Sequence, residues 1–530
     1  MRGSAARIPL RSPKPVGSAG LAALARPLHR YSYALRPSAH RLLVVSNRLP
    51  IVLEKKTGGW TLKPGSGGLV NALAPVLSHR GGVWIGWPGM PLERGGSWEA
   101  VLDAGYRERG YELVPVLLSA AEVKGFYEGF ANAILWPLFH DLLGRCNFQP
   151  SFWYAYLGVN EKFADCVLHH SREDDFIWVQ DYQLIHVAEF LRRKSDTRRI
   201  GFFLHIPFPP LDILLKLPWR GQILKAFLAY DLIGFQTPRD TRNFLSCLQA
   251  LLPEAEIADG HPIFEVHLGA RTVKVGAFPI GIDFQAYEET ARSAEVTRRV
   301  AELRSRLGPA DLIVGVDRLD YTKGLPERLE AFRNALQRHA ELREQVLLFQ
   351  VVVPSREGVP EYQALKAHIE RLVGEINGEF STAGWVPVHY HYKSLGRRDL
   401  IALYRLARIG FVTSIKDGMN LVAKELCACQ VEGRGVLVLS EFAGAAAQLQ
   451  SGALLVNPHD IEGMADALKA AFVMGEEERR WRMDEMRKIL REQDIFWWVD
   501  YYLQAALGTV PDDFRIPAEY VPPLEIEEYL

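Results

Sequence analysis

Short apolar runs that alternate with helical stretches, in two separate sets, constrain this chain more than any other feature of it. In the first set Leu42-Leu43-Val44-Val45-Ser46, Gly82 to Trp87, Phe176 to Gln180 and Ile200 to His205 read as strands, with helical stretches such as Leu69 to Leu73 and Ile185 to Arg193 between them. A run that is apolar at consecutive positions, not at alternate ones, has both faces buried. It therefore belongs in a parallel sheet covered by helices on both sides. The first set ends near Phe278-Pro279-Ile280-Gly281-Ile282-Asp283, and a charged helical stretch from Thr290 to Leu307 follows. A second set then begins: Leu312 to Val316, Val346 to Val353, Ile409 to Thr413 and Gly435 to Leu439. Two such sets predict an α/β protein of two doubly wound, Rossmann-like domains facing each other across a cleft. Ligands are expected at the carboxyl ends of the strands.

A chain of 530 residues exceeds a single typical core, which agrees with two domains. The expected division is an extension at 1–40, an N-terminal domain at 41–283, a C-terminal domain at 284–490, and a helix and tail at 491–530 returning to the first domain. Residues 1–40 hold six Arg, one Lys and no acidic residue, a disordered or targeting-like composition that is set apart from the fold. The net charge of −1 gives no reason to expect nucleic acid or an acidic membrane as partner. No apolar run reaches the length of a membrane span. The five cysteines are scattered and form no CxxC, so reduced thiols in a cytoplasmic protein are expected, with no metal and no cofactor.

Candidate site residues cluster where strands end. Ile409 to Thr413 runs into Ser414-Ile415-Lys416-Asp417-Gly418-Met419-Asn420 and then Leu421-Val422-Ala423-Lys424-Glu425, a strand, a tight turn and a helix start. Unpaired N–H groups at such a helix start suit a phosphate or diphosphate, although an ordinary capped corner has the same pattern. Arg318 and Lys323 follow the strand Leu312 to Val316. They offer a fork and a point charge for a diphosphate, or form a solvated basic loop. His205, followed by three prolines within five positions, and Asp181 each end a strand. Arg48 and Arg356 end strands in different sets and could close on one phosphate. Tyr127 and Trp136 stand in an aromatic run that reads as core on spacing alone.

Taken in order, Val44-Val45-Ser46-Asn47-Arg48-Leu49-Pro50, Gly67-Gly68-Leu69, Leu135-Trp136-Pro137-Leu138-Phe139-His140, Phe203-Leu204-His205-Ile206-Pro207-Phe208-Pro209, Arg318-Leu319-Asp320-Tyr321-Thr322-Lys323-Gly324 and Asp417 to Glu425 resemble the trehalose-6-phosphate synthases. The resemblance runs from about Leu42 to about Trp498. It implies a GT-B glycosyltransferase fold and transfer of glucose from UDP-glucose to glucose 6-phosphate with retention, giving α,α-trehalose 6-phosphate and UDP. By the same resemblance, Arg318 and Lys323 clamp the diphosphate and Glu425 binds the ribose. Asp417, Gly418, Met419, Asn420, Leu421 and Val422, with Gly67 and Gly68, hold the donor. His205 lies beside the reacting centre, Asp181 contacts the acceptor sugar, and Arg48, Tyr127, Trp136 and Arg356 form the acceptor-phosphate pocket. Catalytic roles are thus expected of His205, Asp181, Arg318, Lys323 and Asp417.

Two positions depart from the pattern. The family commonly has His-Asp-Tyr-His where this chain has Gln180-Asp181-Tyr182-Gln183, and often Arg where Lys416 stands. Acceptor preference is the property those changes leave open. Two alternatives are the same chemistry on another phosphorylated acceptor, such as glycerol 3-phosphate, and a non-catalytic sugar-phosphate-binding regulator. The sequence does not fix the preferred nucleotide, and it leaves a homo-oligomer open.

Overall fold

The structure, a computed structural model, describes residues 40–508 except 57–58, 66–67, 91, 93–95, 103–109, 259, 261 and 357–358, together with 514, 516 and 518–521. The apolar runs pair as two sheets. The first has nine strands in the order Glu112–Pro115, Val83–Trp87, Leu42–Arg48, Phe176–Gln180, Ile200–Phe203, Leu232–Phe235, Arg271–Ala277, Ile263–Leu268 and Glu256–Ala258. It is parallel as far as Arg271–Ala277, and its last two strands run antiparallel. The second has six parallel strands in the order Val388–Tyr392, Val346–Val353, Asp311–Arg318, Ile409–Val412, Val436–Ser440 and Leu454–Val456.

Counted in chain order, the first six strands of each sheet lie 3-2-1-4-5-6. The order reverses between strands 1 and 4, where the crossovers leave to opposite sides and open a crevice. In the first sheet that point lies between Leu42–Arg48 and Phe176–Gln180, paired Leu43 to Ile177. In the second it lies between Asp311–Arg318 and Ile409–Val412, paired Ile313 to Ile409.

The chain passes between the sheets twice. It leaves the first near Ile280–Ile282 and returns at Asp494–Ile495, where the Ile495 N–H donates to Ile282 O at 3.0 Å. The returning helix Ile495–Leu507 then completes the core of the first sheet. Tyr502 stacks on Trp178 with ring centroids 4.3 Å apart, and its hydroxyl donates to Phe202 O at 2.9 Å. Gly201 and Gly234 make the room: a Cβ at either would fall 2.6 to 2.8 Å from the Tyr502 ring or hydroxyl. Among the described residues no helix is long and apolar enough to cross a membrane.

Some elements differ from the sequence expectation. The stretch from Thr290 to Leu307 is not one helix. Phe284–Arg292 ends at Ser293, whose hydroxyl accepts from Val296 N at 3.3 Å and caps a second helix, Ala294–Leu307. The strand after Ile200 stops at Phe203, so His205 lies beyond it in the cleft-side loop. The antiparallel strands Ile263–Leu268 and Glu256–Ala258 were not expected, because most of their residues are at least partly exposed and they carry no continuous apolar run.

Candidate active site

Both sheets end their first strand in the same way. Leu42–Arg48 is buried until its last residue, and Arg48 emerges exposed; Asp311–Arg318 does the same at Arg318. These strand ends face each other across a cavity of about 540 Å³. Arg48, Tyr127, Trp136, Asp181 and His205 line one side, and Arg318, Lys323, Arg356, Asp417, Met419, Asn420, Leu421, Val422 and Glu425 line the other. Gly68 opens the helix Gly68–Arg80, whose Leu69 and Val70 also reach the cavity. Gly67 lies outside the described residues.

On the C-terminal side, Lys323 Nζ lies 2.5 Å from Asp417 Oδ2. Asp417 also accepts from Ser414 Oγ at 3.3 Å and Asn420 Nδ2 at 3.2 Å. Burial alone would raise this carboxyl, but the Lys323 charge overrides it and holds Asp417 below the usual range. Arg318 makes no ion pair among the described residues, so its fork is free for an anion. Asn420, at φ 74°, accepts from Ala423 N at 3.2 Å and caps the helix Leu421–Cys429, whose first residues Leu421 and Val422 line the cavity. Glu425 follows one turn later. Burial raises its carboxyl, and Tyr404 OH donates to it at 3.4 Å.

Beside Glu425 a second cavity of about 340 Å³ opens, lined by Gly281, Ile282, Tyr287 and Arg397 among others. Arg397 Cζ stands 4.9 Å from the Tyr287 ring centre. Neither residue was read from sequence. Tyr287 sits in an ordinary amphipathic helix and Arg397 opens a charged one, and nothing local sets them apart.

On the N-terminal side, Val123–Leu135 is a π-helix, with hydrogen bonds from i+5 to i continuing through Trp136 N to Ala131 O. Trp136 is buried in the core and Tyr127 packs against it, as their spacing suggests, and both also line the cavity. Nine residues span about 2.5 turns of an α-helix and would oppose the two rings. The wider π-helix makes about two turns of them and puts both on one face. Arg356 Cζ lies 4.8 Å from the Trp136 ring centre, and Arg48 Cζ lies 5.7 Å from that of Tyr127. Burial would raise the Tyr127 phenol, but Arg356, Arg48 and Arg318 together bring it below its ordinary value. Three converging arginine charges are what a dianion requires.

Asp181 has φ 74° and ψ 165°, a conformation that belongs almost to glycine alone. It is held there by its own N–H, which donates to Phe203 O at 2.8 Å, and by its Oδ1, which accepts from His205 N at 3.1 Å. Arg356 and Asn420 also have positive φ, at 49° and 74°. Three residues that line this cavity thus hold backbone conformations that side chains rarely adopt. Three buried polar atoms without a protein partner belong to residues that line it: Asn47 Oδ1, Trp136 Nε1 and Gln180 Nε2.

The two sides touch. The Lys416 ammonium meets Asp141 Oδ2 at 2.5 Å, and Arg145 Cζ lies 4.5 Å from the Tyr321 ring centre. At the cavity itself Gly418 packs on the His205 carbonyl, where a Cβ would fall 2.1 Å from the oxygen. Gly418 is thus required for close approach. Gly418→Ala is expected to keep both domains folded but hold them apart, with at least about tenfold lower turnover. Small-angle scattering of the variant with both substrates should give a larger particle than the wild type. Equal dimensions and equal turnover would contradict this.

A family model described as Glycosyltransferase family 20 matches residues 40–507. A trehalose-6-phosphate synthase of Mycolicibacterium vanbaalenii is 44% identical over 475 residues, covering 88% of this chain and 96% of the relative. Among solved structures, the UDP-forming α,α-trehalose-phosphate synthase of Burkholderia xenovorans in complex with glucose-6-phosphate superposes with a TM-score of 0.80 at 36% identity, covering 88% of this chain and all of that one. The E. coli protein bound with UDP-2-fluoro glucose gives 0.78 at 35% identity, covering 89% of this chain and all of that one. The two facing doubly wound sheets are the GT-B arrangement, and the chain belongs to glycosyltransferase family 20.

Proposed function

We propose that the protein transfers glucose from UDP-glucose to glucose 6-phosphate with retention at the anomeric carbon, forming α,α-trehalose 6-phosphate and UDP. The carrying observation is that one cavity joins two anion sites. The free Arg318 fork, Lys323 and a capped helix start form one of them, and Arg48, Tyr127 and Trp136 of the first domain, with Arg356 reaching over from the second, form the other. A nucleotide diphosphate fits the first and a sugar phosphate the second, with Asp181 and His205 between them. The glucose-6-phosphate complex of the Burkholderia relative and the UDP-2-fluoro glucose complex of the E. coli relative support the same pair of substrates.

In this reading Glu425 binds the ribose hydroxyls, and the base extends toward Tyr287 and Arg397. Asp417 and the main-chain amides from Gly418 to Val422 hold the donor glucose. The acceptor hydroxyl attacks on the face the diphosphate leaves. The C1–O bond to UDP breaks, the new C1–O bond forms on the same face, and the acceptor's proton passes to the departing phosphate oxygen. Arg318 and Lys323 stabilise the charge that grows on that phosphate. Product analysis with UDP- or ADP-glucose against glucose 6-phosphate and glycerol 3-phosphate tests the assignment. UDP-glucose with glucose 6-phosphate should be turned over fastest, and a trapped covalent glucosyl-enzyme would overturn the front-face step.

Asp181 adds a pH signature. Burial pushes its carboxyl up to about 7, with the Tyr182 and His205 N–H groups and Arg318 opposing. The carboxylate is the form that accepts from an acceptor hydroxyl. Wild-type kcat/KM for the acceptor should therefore fall as pH drops through about 7, and Asp181→Asn should lack that limb. The linkage to stability has the opposite sense. The folded state keeps this proton above the ordinary value of 3.8, so the stabilising contribution is fully present at low pH and is lost as pH rises through about 7.

A further inference from the structure

A buried imidazole has its proton placed by its neighbours, since each ring nitrogen must face a partner of the right kind. Around His205 the neighbours form a directional chain that starts at the main chain. The Ile280 N–H can only donate, and it lies 3.0 Å from Gln236 Oε1. With its oxygen taken, Gln236 turns its amide nitrogen toward His205 Nδ1, at 3.5 Å. Nδ1 therefore accepts and is bare. Burial pulls the His205 pKa down to about 3, so the ring is neutral at working pH and its proton sits on Nε2. Nε2 lies 2.9 Å from Gln180 Oε1, which accepts. Gln180 is fully buried, and its own amide nitrogen has no partner among the described residues. The carboxamide thus forgoes a hydrogen bond in order to present its oxygen to the ring.

No charged side chain competes at the ring. It packs against Phe203 and Trp498, with centroids at 4.7 and 6.3 Å. Asp181 meets the His205 main-chain N–H, at 3.1 Å. Lys424 Nζ donates to Ile280 O at 2.6 Å, on the far side of that residue. Asp417, paired with Lys323, lies across the cleft next to Gly418.

We propose that Gln180 is a positioning residue of the glucosyl transfer: its Oε1 holds His205 as the neutral Nε2–H tautomer, and so fixes the segment whose carbonyl meets Gly418. The inference rests on reading the cavity as the transfer site. It also gives a physical meaning to the glutamine found where related sequences commonly have histidine. A carboxamide has no proton to gain or lose, so the relay in this chain works unchanged across the neutral range.

The test is long-range proton–nitrogen NMR of the full-length protein labelled with ¹⁵N-histidine, with the His205 signals identified by their loss in His205→Asn. The wild type should show a protonated Nε2 and a bare Nδ1 throughout the neutral range. Gln180→Leu should mix the tautomers and lower kcat about tenfold, the scale of one lost hydrogen bond, with KM for UDP-glucose nearly unchanged. Gln180→His, assayed above neutral pH where its ring can accept from Nε2–H, should recover most of that loss. A wild-type His205 protonated on Nδ1 would overturn the proposal even if Gln180→Leu failed to fold. So would a Gln180→Leu protein with unchanged tautomer or unchanged kcat. The NMR measurement needs no substrate. A wild-type enzyme that made no trehalose 6-phosphate would count against the proposed function while the tautomer could still be read.

Discussion

Arg318→Ala should cut glucosyl transfer at least about tenfold while leaving the thermal midpoint where it was. The side chain emerges exposed at the end of its strand and has no ion pair among the described residues, so the fold does not depend on it. A hydrogen bond to a charged group contributes roughly 1.5–3 kcal/mol, and a donor aimed at growing charge contributes more in the transition state than in the ground state. The loss should therefore appear in kcat as well as KM. Lys323→Ala should behave differently, because Lys323 is bonded to the mostly buried Asp417. Its removal strands a carboxylate, so it should cost turnover and stability together, the latter by up to about 3–5 kcal/mol. Adding Asp417→Asn should recover much of the stability and none of the turnover. Single variants with wild-type rates would place the diphosphate elsewhere.

The second large effect concerns which acceptor is used. Glucose and glucose 6-phosphate offer the same attacking hydroxyl, so only contacts to the phosphate can separate them strongly. Arg48 and Arg356 approach from opposite domains. Arg48 is braced on Trp87 at 4.3 Å, and Arg356 is held by the Tyr362 hydroxyl and by Asp320 at 3.8 Å. Loss of either should remove roughly 1.5–3 kcal/mol of binding to the phosphorylated acceptor, about ten- to a hundredfold in kcat/KM. Glucose never uses that contact and should be little affected. The ratio of kcat/KM for the two acceptors is the measurement, with UDP affinity as the control. A ratio that stays at its wild-type value in both folded variants would move the phosphate pocket.

What the sequence could express was local. Arg48, Asp181 and Arg318 are legible because each stands where an apolar run stops, and a parallel sheet delivers every such end to one edge. The helix start at Asn420 is legible for the same reason. Partners brought in from elsewhere were not. Nothing near Gly418 in the chain says that it will meet the His205 carbonyl, and nothing near Lys416 points to Asp141. Tyr287 and Arg397 reach the Glu425 side of the cavity only because the whole second domain folds. The π-helix at Val123–Leu135 is a tertiary outcome as well. Its residues have the apolar spacing of a buried α-helix, and its Phe126 and Phe130 pack on Trp153, Tyr156 and Trp219, partners brought in from elsewhere in the chain. The break at Ser293 turns on a single capping hydroxyl within a charged stretch.

The helix Ile495–Leu507 also bears on how the protein is made. Its Trp498 and Tyr502 belong to the interior of the first sheet, whose last strand is complete at Ala277. At ribosomal rates of roughly 5–20 residues per second, the chain between them takes roughly 10–50 s to emerge. Throughout that interval the first domain must wait with Trp178, Gly201 and Gly234 uncovered, while the second domain can fold in full. The order of synthesis and the order of completion are therefore reversed. The nascent first domain is the part of this protein that a holding chaperone would protect, and a chain broken off after the second domain would leave the first one unfinished.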